Sequence, residues 1–156
     1  MRAISAIAGA AMALAVPFSA SAFELISRSE MVAISDGSLP GASLDAAPRA
    51  AVADAPVIEL LQPSGTANFK APVDIHVRLR PGLGASLDMA SLEIRYVGSI
   101  FSFDITDRIL EHAQVKDGEI MASNADLPSG EHEILIRVND SWDRRGERRF
   151  NFVVEE

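Results

Sequence analysis

Alternating apolar and polar residues mark eight short strands between residue 57 and residue 154. The plainest example is Val73–Leu79, where every second residue is apolar and Asp74, His76 and Arg78 lie between them. This pattern is expected of a strand with one buried face. The other strands are predicted at 57–61, 92–96, 101–105, 113–116, 119–122, 132–138 and 150–154.

Turn signals separate these strands. Asp117-Gly118 is among the strongest hairpin dipeptides, and Gly98-Ser99 lies where the apolar residues change parity, which requires a hairpin or a bulge. No sustained helical period interrupts them. The pattern predicts an all-β domain, an antiparallel two-sheet sandwich of seven to eight strands over residues 56–156.

The first 22 residues have the three parts of a secretory signal peptide. Arg2 precedes an apolar stretch from Ala3 to Phe18, and small residues follow at Ala20 and Ala22. The apolar run is shorter than the roughly 20 residues that a transmembrane helix needs. We therefore expect cleavage after Ala22, a periplasmic or secreted protein, and no membrane span after cleavage.

Residues 23–55 are predicted to form an N-terminal tail and a flexible linker. Residues 23–34 mix apolar and charged side chains without a clear period, so they could form a short helix or an extended segment, and whether they pack on the domain stays open. Residues 35–56 are rich in Asp, Gly, Ser, Ala and Pro, a composition that buries too little apolar surface to fold.

Composition narrows the function classes. The chain has 156 residues, no cysteine, and 14 Lys and Arg against 22 Asp and Glu, a formal net charge of −8. The absence of cysteine excludes disulfide scaffolds, cysteine-ligated zinc and a thiol nucleophile. The acidic balance argues against a nucleic-acid partner, because such binding depends on Lys and Arg at the phosphates.

The stretch from Leu127 to Val154 resembles the last two strands of bacterial immunoglobulin-like domains. The residues that carry the resemblance are Leu127, Gly130, His132, Ile134, Ile136, Val138, Asp140, Gly146, Phe150 and Phe152. The opening segment, Val57–Leu61 with Pro63, Gly65 and Pro72-Val73, is similar to the first strands of the same class. The resemblance implies an immunoglobulin-like sandwich.

Two weaker resemblances concern secreted bacterial proteins. Phe103–Arg108 is similar to a motif of uncharacterised secreted proteobacterial proteins of this size. Copper-binding periplasmic sandwiches are a more distant comparison. This chain has no histidine directly after the predicted cleavage site and no Met-rich run, so their copper chemistry is not expected here.

His132 shares the parity of Ile134 and Ile136 and therefore faces the edge of the core. We expect it to act as a corner residue that hydrogen-bonds the preceding turn, as a tyrosine corner does. His76 lies between inward-facing residues and points outward. In an immunoglobulin-like layout the two histidines lie in different sheets, so no shared metal site is expected.

Asp104, Asp107 and Arg108 form the densest polar motif. Asp and Thr at the end of a strand commonly accept hydrogen bonds from a turn, and Arg108 could pair with either acid. The alternative is a calcium site, for which further oxygen ligands would have to come from Asp117, Asp126 or Asp143.

The segment Asp140–Arg149 is predicted to be a loop that carries a basic patch. It holds Trp142, the only tryptophan, and four arginines at positions 144, 145, 148 and 149. In one interpretation Trp142 folds back over the sandwich and the arginines pair with surface acids. In the other, Trp142, Arg144 and Arg145 form a recognition loop for a protein, a glycan or an anionic envelope component.

Catalysis has little support in the sequence. No Gly-x-Ser-x-Gly nucleophile motif is present, and Gly82-Leu83-Gly84 lacks the third glycine and the helix of a dinucleotide loop. We expect no catalytic residue, no cofactor and no resident metal. The predicted function is that of a non-enzymatic module that contacts another envelope or secreted protein.

Two alternative functions stay open. The first is a periplasmic metal- or small-ligand-binding protein, which needs oxygen-rich loops that converge. The second is a carbohydrate-binding module, for which Trp142 and Tyr96 would have to form an exposed platform. Tyr96 shares the parity of Leu92 and Ile94, so we expect it to be buried.

Overall fold

The computed structural model describes residues 21–44, 52–64 and 68–156, so the predicted signal peptide lies almost entirely outside the described residues. Within these ranges no helix is long and apolar enough to cross a membrane. The elements in chain order are β1 (Phe23–Glu24), α1 (Arg28–Ser35), β2 (Ser43–Leu44), β3 (Val57–Gln62), β4 (Asn68–Lys70), β5 (Val73–Arg80), β6 (Leu87–Val97), β7 (Phe101–Asp104), α2 (Thr106–Leu110), β8 (Ala113–Lys116), β9 (Glu119–Asp126), β10 (Gly130–Asp140) and β11 (Arg145–Glu155).

The strands form two sheets. The first has the order β1-β9-β5-β3, with β8 also paired to β9, and the second has the order β2-β7-β6-β10-β11-β4. The β-rich, two-sheet architecture predicted from the sequence is confirmed. The sheets are mixed, however, and the expectation of purely antiparallel sheets is wrong, because β1 runs parallel to β9 and β4 runs parallel to β11.

The two strands that pair in parallel, β1 and β4, were not predicted from the alternation of apolar and polar residues. They contain two and three residues, which is too short for a period of two to be recognised. Each pairs with a strand far away in the sequence, as Phe23 does with Ala125 and Asn68 with Val153. Their positions follow from tertiary packing.

The core lies between the sheets and is built by the inward residues of the long strands. Its fully buried side chains outside the N-terminal segment include Val77, Ile94, Tyr96, Ile105, Ile109, Ile120, Ile136 and Val138. A void of about 20 Å³ remains between the sheets, and only apolar side chains line it. Such a void has room for about one water but no polar group to hold it.

Residues 23–44, called the N-terminal strap below, contribute several buried side chains to this core. Leu25, Ile26 and Ile34 are at most 1% exposed. Because β1 pairs with β9 of the first sheet and β2 pairs with β7 of the second, the strap connects both sheets along one side of the sandwich. Packing therefore begins well before residue 56, where the composition placed the start of the domain.

The strap contains the longer of the two described helices. The hydroxyl of Ser27 accepts a hydrogen bond from the Glu30 N–H at 3.2 Å, and the Glu30 carboxylate accepts one from the Ser27 N–H at 2.9 Å. This reciprocal capping box satisfies two donors at the start of α1. Of the helix and the extended segment that the sequence left open for residues 23–34, the structure shows a short extended stretch followed by a helix.

Strand β11 begins at Arg145, directly after a short turn at residues 141–144. The arginine-rich segment, predicted as a loop from Asp140 to Arg149, is therefore mostly strand. Its arginines hide the strand pattern, because Arg148 has the inward parity of Phe150 and Phe152 but is exposed.

Candidate functional site

The turn between β10 and β11 is organised by a buried carboxylate. Asp140 is 3% exposed. Its Oδ1 accepts hydrogen bonds from the backbone N–H groups of Trp142 at 2.9 Å and Arg144 at 3.0 Å. Its Oδ2 accepts one from Nε of Arg144 at 2.8 Å. The single carboxylate thus fixes both the backbone of the turn and the direction of one arginine.

Electrostatics favour the ionised form of this carboxylate. Burial alone would raise the pKa of Asp140, but the backbone N–H groups of Arg144 and Trp142 and the Arg144 guanidinium outweigh it. The pKa of Asp140 consequently lies below its ordinary value. The turn keeps its anchor as an anion at neutral pH.

The backbone closes the same turn. The Asp143 N–H donates to the Asp140 carbonyl at 2.9 Å, and the Asp140 N–H donates to the Arg144 carbonyl at 3.1 Å. Asp143 adopts a φ of 57°, in the left-handed region, which aspartate tolerates better than most residues. The Nδ2 of Asn139 donates to its carboxylate at 3.1 Å. The turn is thus held in one conformation.

Trp142 projects from this rigid turn and is 60% exposed. Its ring packs against Arg144, whose guanidinium carbon lies 4.4 Å from the ring centroid, and against Gly84, where a Cβ would lie 3.1 Å from Cη2 of the indole. Arg144 also donates from Nη2 to the Leu83 carbonyl at 3.3 Å. Leu83 itself is 80% exposed.

Leu83, Gly84, Trp142 and Arg144 form one continuous patch at the end of the sandwich, which we call the Trp142 surface. Two exposed apolar side chains lie there on backbone that is already ordered, so a partner would lose little conformational entropy in ordering them. Tryptophan and arginine are also the residues most enriched in binding hot spots. The arrangement is suited to contact with another macromolecule.

The sequence left two interpretations of this segment open, a tryptophan folded back with paired arginines or an exposed recognition loop, and the structure has features of both. Trp142 does lie back over the neighbouring loop, and Arg144 pairs with an acid of its own turn. More than half of the indole nevertheless stays exposed. Arg145 donates to Oδ1 of Asn139 at 3.3 Å, whereas Arg144 pairs with Asp140, so the two neighbouring arginines have different partners.

His132 makes the hydrogen bond expected of a corner residue. Its Nε2 lies 2.7 Å from the Pro128 carbonyl in the preceding turn, and its Nδ1 lies 3.0 Å from the Tyr96 hydroxyl. A carbonyl only accepts, so Nε2 carries the proton and the Tyr96 hydroxyl donates to Nδ1. His132 and Tyr96 are 2% and 1% exposed.

Burial acts on both members of this pair. It lowers the pKa of His132 and raises the pKa of Tyr96 to about 12, which keeps both side chains neutral. Because Tyr96 lies in the interior, it cannot form an exposed aromatic platform with Trp142, which the carbohydrate-binding alternative requires. The two aromatic residues lie in different parts of the molecule.

Asp104 and Thr106 satisfy local backbone groups. Oδ1 of Asp104 accepts the Thr106 N–H at 2.8 Å, and Oγ1 of Thr106 accepts the Ile94 N–H at 2.8 Å. Instead of a turn, a short helix starts at Thr106 and contains Asp107 and Arg108. In the part of the chain that the structure describes, no group of three or more His, Asp or Glu side chains is arranged to hold a metal ion.

Arg108 pairs with neither neighbouring aspartate. Its Nη2 donates to Oε1 of Glu30 at 3.0 Å, and its Nη1 donates to the Leu25 carbonyl at 2.7 Å. Hydrogen bonding to Arg108 is the largest cause that lowers the pKa of Glu30 to about 2. Arg108 therefore fastens the N-terminal strap to α2. Its partner lies 78 positions away in the sequence, so only the capping-box spacing of Ser27 and Glu30 could have drawn attention to it.

A row of alternating charges crosses the outer face of the second sheet, and it was not among the features predicted from the sequence. Arg137 donates from Nε to Glu147 at 2.8 Å and lies 3.5 Å from Glu93, which in turn accepts from Arg95 at 2.9 Å. Next to them Leu135 is 0% exposed although it faces outward. The sequence feature that could have predicted these ion pairs is the opposite charge of residues at outward positions of neighbouring strands.

No family model matches the chain, and no curated protein or solved structure is significantly similar to it.

Proposed function

We propose that the chain is a secreted or periplasmic, non-enzymatic module of immunoglobulin-like topology that binds another envelope or secreted protein through the Trp142 surface. The order β3-β5-β9-β8 in one sheet and β6-β10-β11 in the other supports the topology, because immunoglobulin domains arrange their strands in this way. The signal-peptide pattern before residue 23 supports export.

The observation that carries the proposed function is the exposed indole of Trp142 on a turn fixed by buried Asp140. Exposed apolar side chains that lie together, as Trp142 and Leu83 do on the Trp142 surface, are typical of interaction sites. The buried carboxylate of Asp140 holds the turn that presents the indole. A partner surface with a shallow apolar depression for the indole would fit.

The test is site-specific cross-linking in the cells that produce the protein. A photo-reactive amino acid is placed at Leu83, which is 80% exposed, and separately at Ile100, which is 59% exposed in the turn after β6 at the opposite end of the sandwich. We expect a single partner from position 83 and none from position 100. Trp142→Ala should abolish the cross-link without changing the melting temperature.

Two results would contradict the proposal. A cross-link at position 83 that survives Trp142→Ala would show that the indole is not a contact, and a lack of any cross-link would leave the Trp142 surface without a partner. Elemental analysis of the purified protein is run in parallel. A stoichiometric metal would favour the metal-binding alternative, and N-terminal sequencing tests whether Phe23 is the first residue of the exported chain.

A further inference from the structure

We propose that Arg144 is a positioning residue that holds Trp142 and Leu83 together as one rigid apolar anchor, and that the partner meets this anchor with an uncharged, apolar surface. The statement about the partner rests on the proposed function, whereas the role of Arg144 concerns this protein alone. Trp142 lies between β10 and β11, and Leu83 lies between β5 and β6. Contacts between these two turns must therefore fix how the two side chains stand to each other. We call the pair the Trp142–Leu83 anchor.

Leu83 lies in a tight turn of four residues. The Ala85 N–H donates to the Gly82 carbonyl at 3.1 Å, and of the two central residues only Gly84 has a positive φ, 74°. This combination defines a type II turn with Leu83 at the second position and Gly84 at the third. The glycine also leaves room for the indole, because a Cβ there would lie 3.1 Å from Cη2 of Trp142.

The Arg144 side chain joins this turn to the turn after β10. Its Nε donates to Oδ2 of Asp140 at 2.8 Å in its own turn, and its Nη2 donates to the Leu83 carbonyl at 3.3 Å in the other. The guanidinium carbon lies 4.4 Å from the centroid of the Trp142 ring. One planar group thus contacts both turns and the ring, which the ammonium of a lysine could not do.

Two serines reinforce the junction between the turns. The Ser141 N–H donates to the Ser86 carbonyl at 2.8 Å, and Oγ of Ser141 accepts the Ser86 N–H at 3.2 Å. These bonds join the backbones of the two turns. The ring contact with Arg144 then sets the orientation of the indole on them.

Arg144 itself has little surface left for a partner. Only 16% of its side chain is exposed, and the carboxylate of Asp140 that it pairs with is fully buried. Two of its three guanidinium nitrogens already donate within the protein. Trp142 and Leu83, in contrast, are 60% and 80% exposed. A partner therefore meets the indole and the leucine side chain, while the arginine keeps both in place.

Charged side chains beside the anchor balance each other. The ion pair inside the turn is neutral as a whole. In the adjoining groove the exposed Arg145 and Arg148 are matched by the exposed Asp54 and Asp143. Since neither sign is in excess, no charge selects an ionic partner here. We expect an apolar contact whose strength changes little with salt.

The first test uses the protein alone. Trp142 is the only tryptophan of the chain, so its fluorescence and its indole N–H signal in NMR report on the anchor directly. In the wild-type protein the order parameter of the indole N–H should approach the ~0.85 of a rigid backbone. Arg144→Lys keeps the charge but loses the planar group, so it should lower the fluorescence anisotropy and raise quenching by acrylamide. Arg145→Lys is the matched control, because the side chain of Arg145 bonds to Asn139, and it should change neither quantity.

The second test measures the partner by photo-cross-linking from position 83. Arg144→Lys should reduce the yield about tenfold, because the partner would then have to order the anchor on binding, whereas Arg145→Lys should not. In an envelope preparation of the producing cells, the yield with the wild-type sequence at position 144 should be equal at low and high salt. All variants are compared at a temperature at which circular dichroism shows them folded.

The role of Arg144 is overturned if the wild-type indole has an order parameter below about 0.6, or if the indole is as ordered in Arg144→Lys as in the wild type. A cross-link that disappears in an Arg144→Lys protein with an ordered indole would make Arg144 a direct contact. A yield that falls at high salt would overturn the apolar partner surface. If no variant captures a partner, the proposed function fails together with the apolar partner, while the role of Arg144 is still decided by the indole measurements.

Discussion

Replacing His132 by alanine is expected to destabilise the sandwich by about 3–5 kcal/mol. The imidazole joins the Pro128 carbonyl to the Tyr96 hydroxyl, and it stacks on Phe152 with ring centroids 5.5 Å apart. Its removal loses two hydrogen bonds of about 1 kcal/mol each. It also leaves two buried polar groups unpaired and opens a cavity beside an aromatic ring.

Thermal and urea unfolding followed by circular dichroism measure this loss. A change of this size lowers the melting temperature of a domain this large by about 10 °C or more. Tyr96→Phe removes only the hydroxyl and should cost about 1 kcal/mol. The double variant then gives the coupling energy of the pair, which we expect to be favourable because the two residues share a hydrogen bond.

The pH dependence gives an independent readout. Burial lowers the pKa of His132, so the unfolded chain takes up a proton more readily than the folded one. The contribution of His132 to stability is fully present above its ordinary pKa of 6.5 and declines as the pH falls below that value. The stability difference between wild type and His132→Ala should therefore shrink between about pH 7.5 and pH 5.5.

The reasoning is refuted if His132→Ala costs less than about 1 kcal/mol, the lower end of what one lost hydrogen bond contributes. It is also refuted if Tyr96→Phe and His132→Ala are additive, because independent effects would mean that the hydrogen bond between Tyr96 and His132 carries no energy.

Three further predictions concern the strap and a glycine. Glu30→Gln should lower the free energy of unfolding by about 1–3 kcal/mol. Because the pKa of Glu30 is lowered from 4.5 to about 2, the wild-type protein should lose this stabilisation in acid unfolding as the pH falls from about 4.5 towards 2. Leu25→Ala should cost about 3 kcal/mol in urea unfolding, whereas Leu44→Ala, at a site 72% exposed, should change stability by less than about 0.5 kcal/mol. Gly82→Ala should lower the melting temperature markedly, because a Cβ there would lie 1.7 Å from the Asp54 carbonyl oxygen.

The sequence alone identified the strands that bury one face. In β5 the inward residues are four alternating apolar side chains, and the structure buries all of them. In β10 the same alternation also placed His132 correctly at the core edge. These elements could be predicted because the pleat of a strand converts burial directly into a period of two.

The N-terminal strap could not be predicted in the same way. Its buried residues Leu25, Ile26 and Ile34 contact the core from an irregular segment and a short helix, so they follow no single period. Its charged anchor depends on Arg108, which the sequence placed in a polar turn with two aspartates. Contacts between residues this far apart leave no local pattern.

The candidate contact residues show the same limit. Trp142, Arg144 and Arg145 were recognised as candidate contact residues by their residue types. Their different positions and partners depend on the folded geometry and could not be predicted. Arg144 is turned inward by Asp140, whereas Arg145 begins β11 and lies at its edge. Leu83, the most exposed large apolar residue among those described, belongs to a glycine turn in which no periodicity could assign it a role.

The strap gives a physical reason why this sandwich can dispense with cysteine. A disulfide would hold two sheets together by restricting the unfolded chain, and the chain has none. Here one segment pairs with β9 of the first sheet and with β7 of the second, and it buries apolar side chains between them. If cleavage occurs after Ala22 as predicted, the chain begins at Phe23, which is 8% exposed and stacks on His112 with ring centroids 4.2 Å apart. The predicted cleavage position then coincides with the start of packing, so a precursor cleaved a few residues downstream would lose β1 and should be less stable than one cleaved after Ala22.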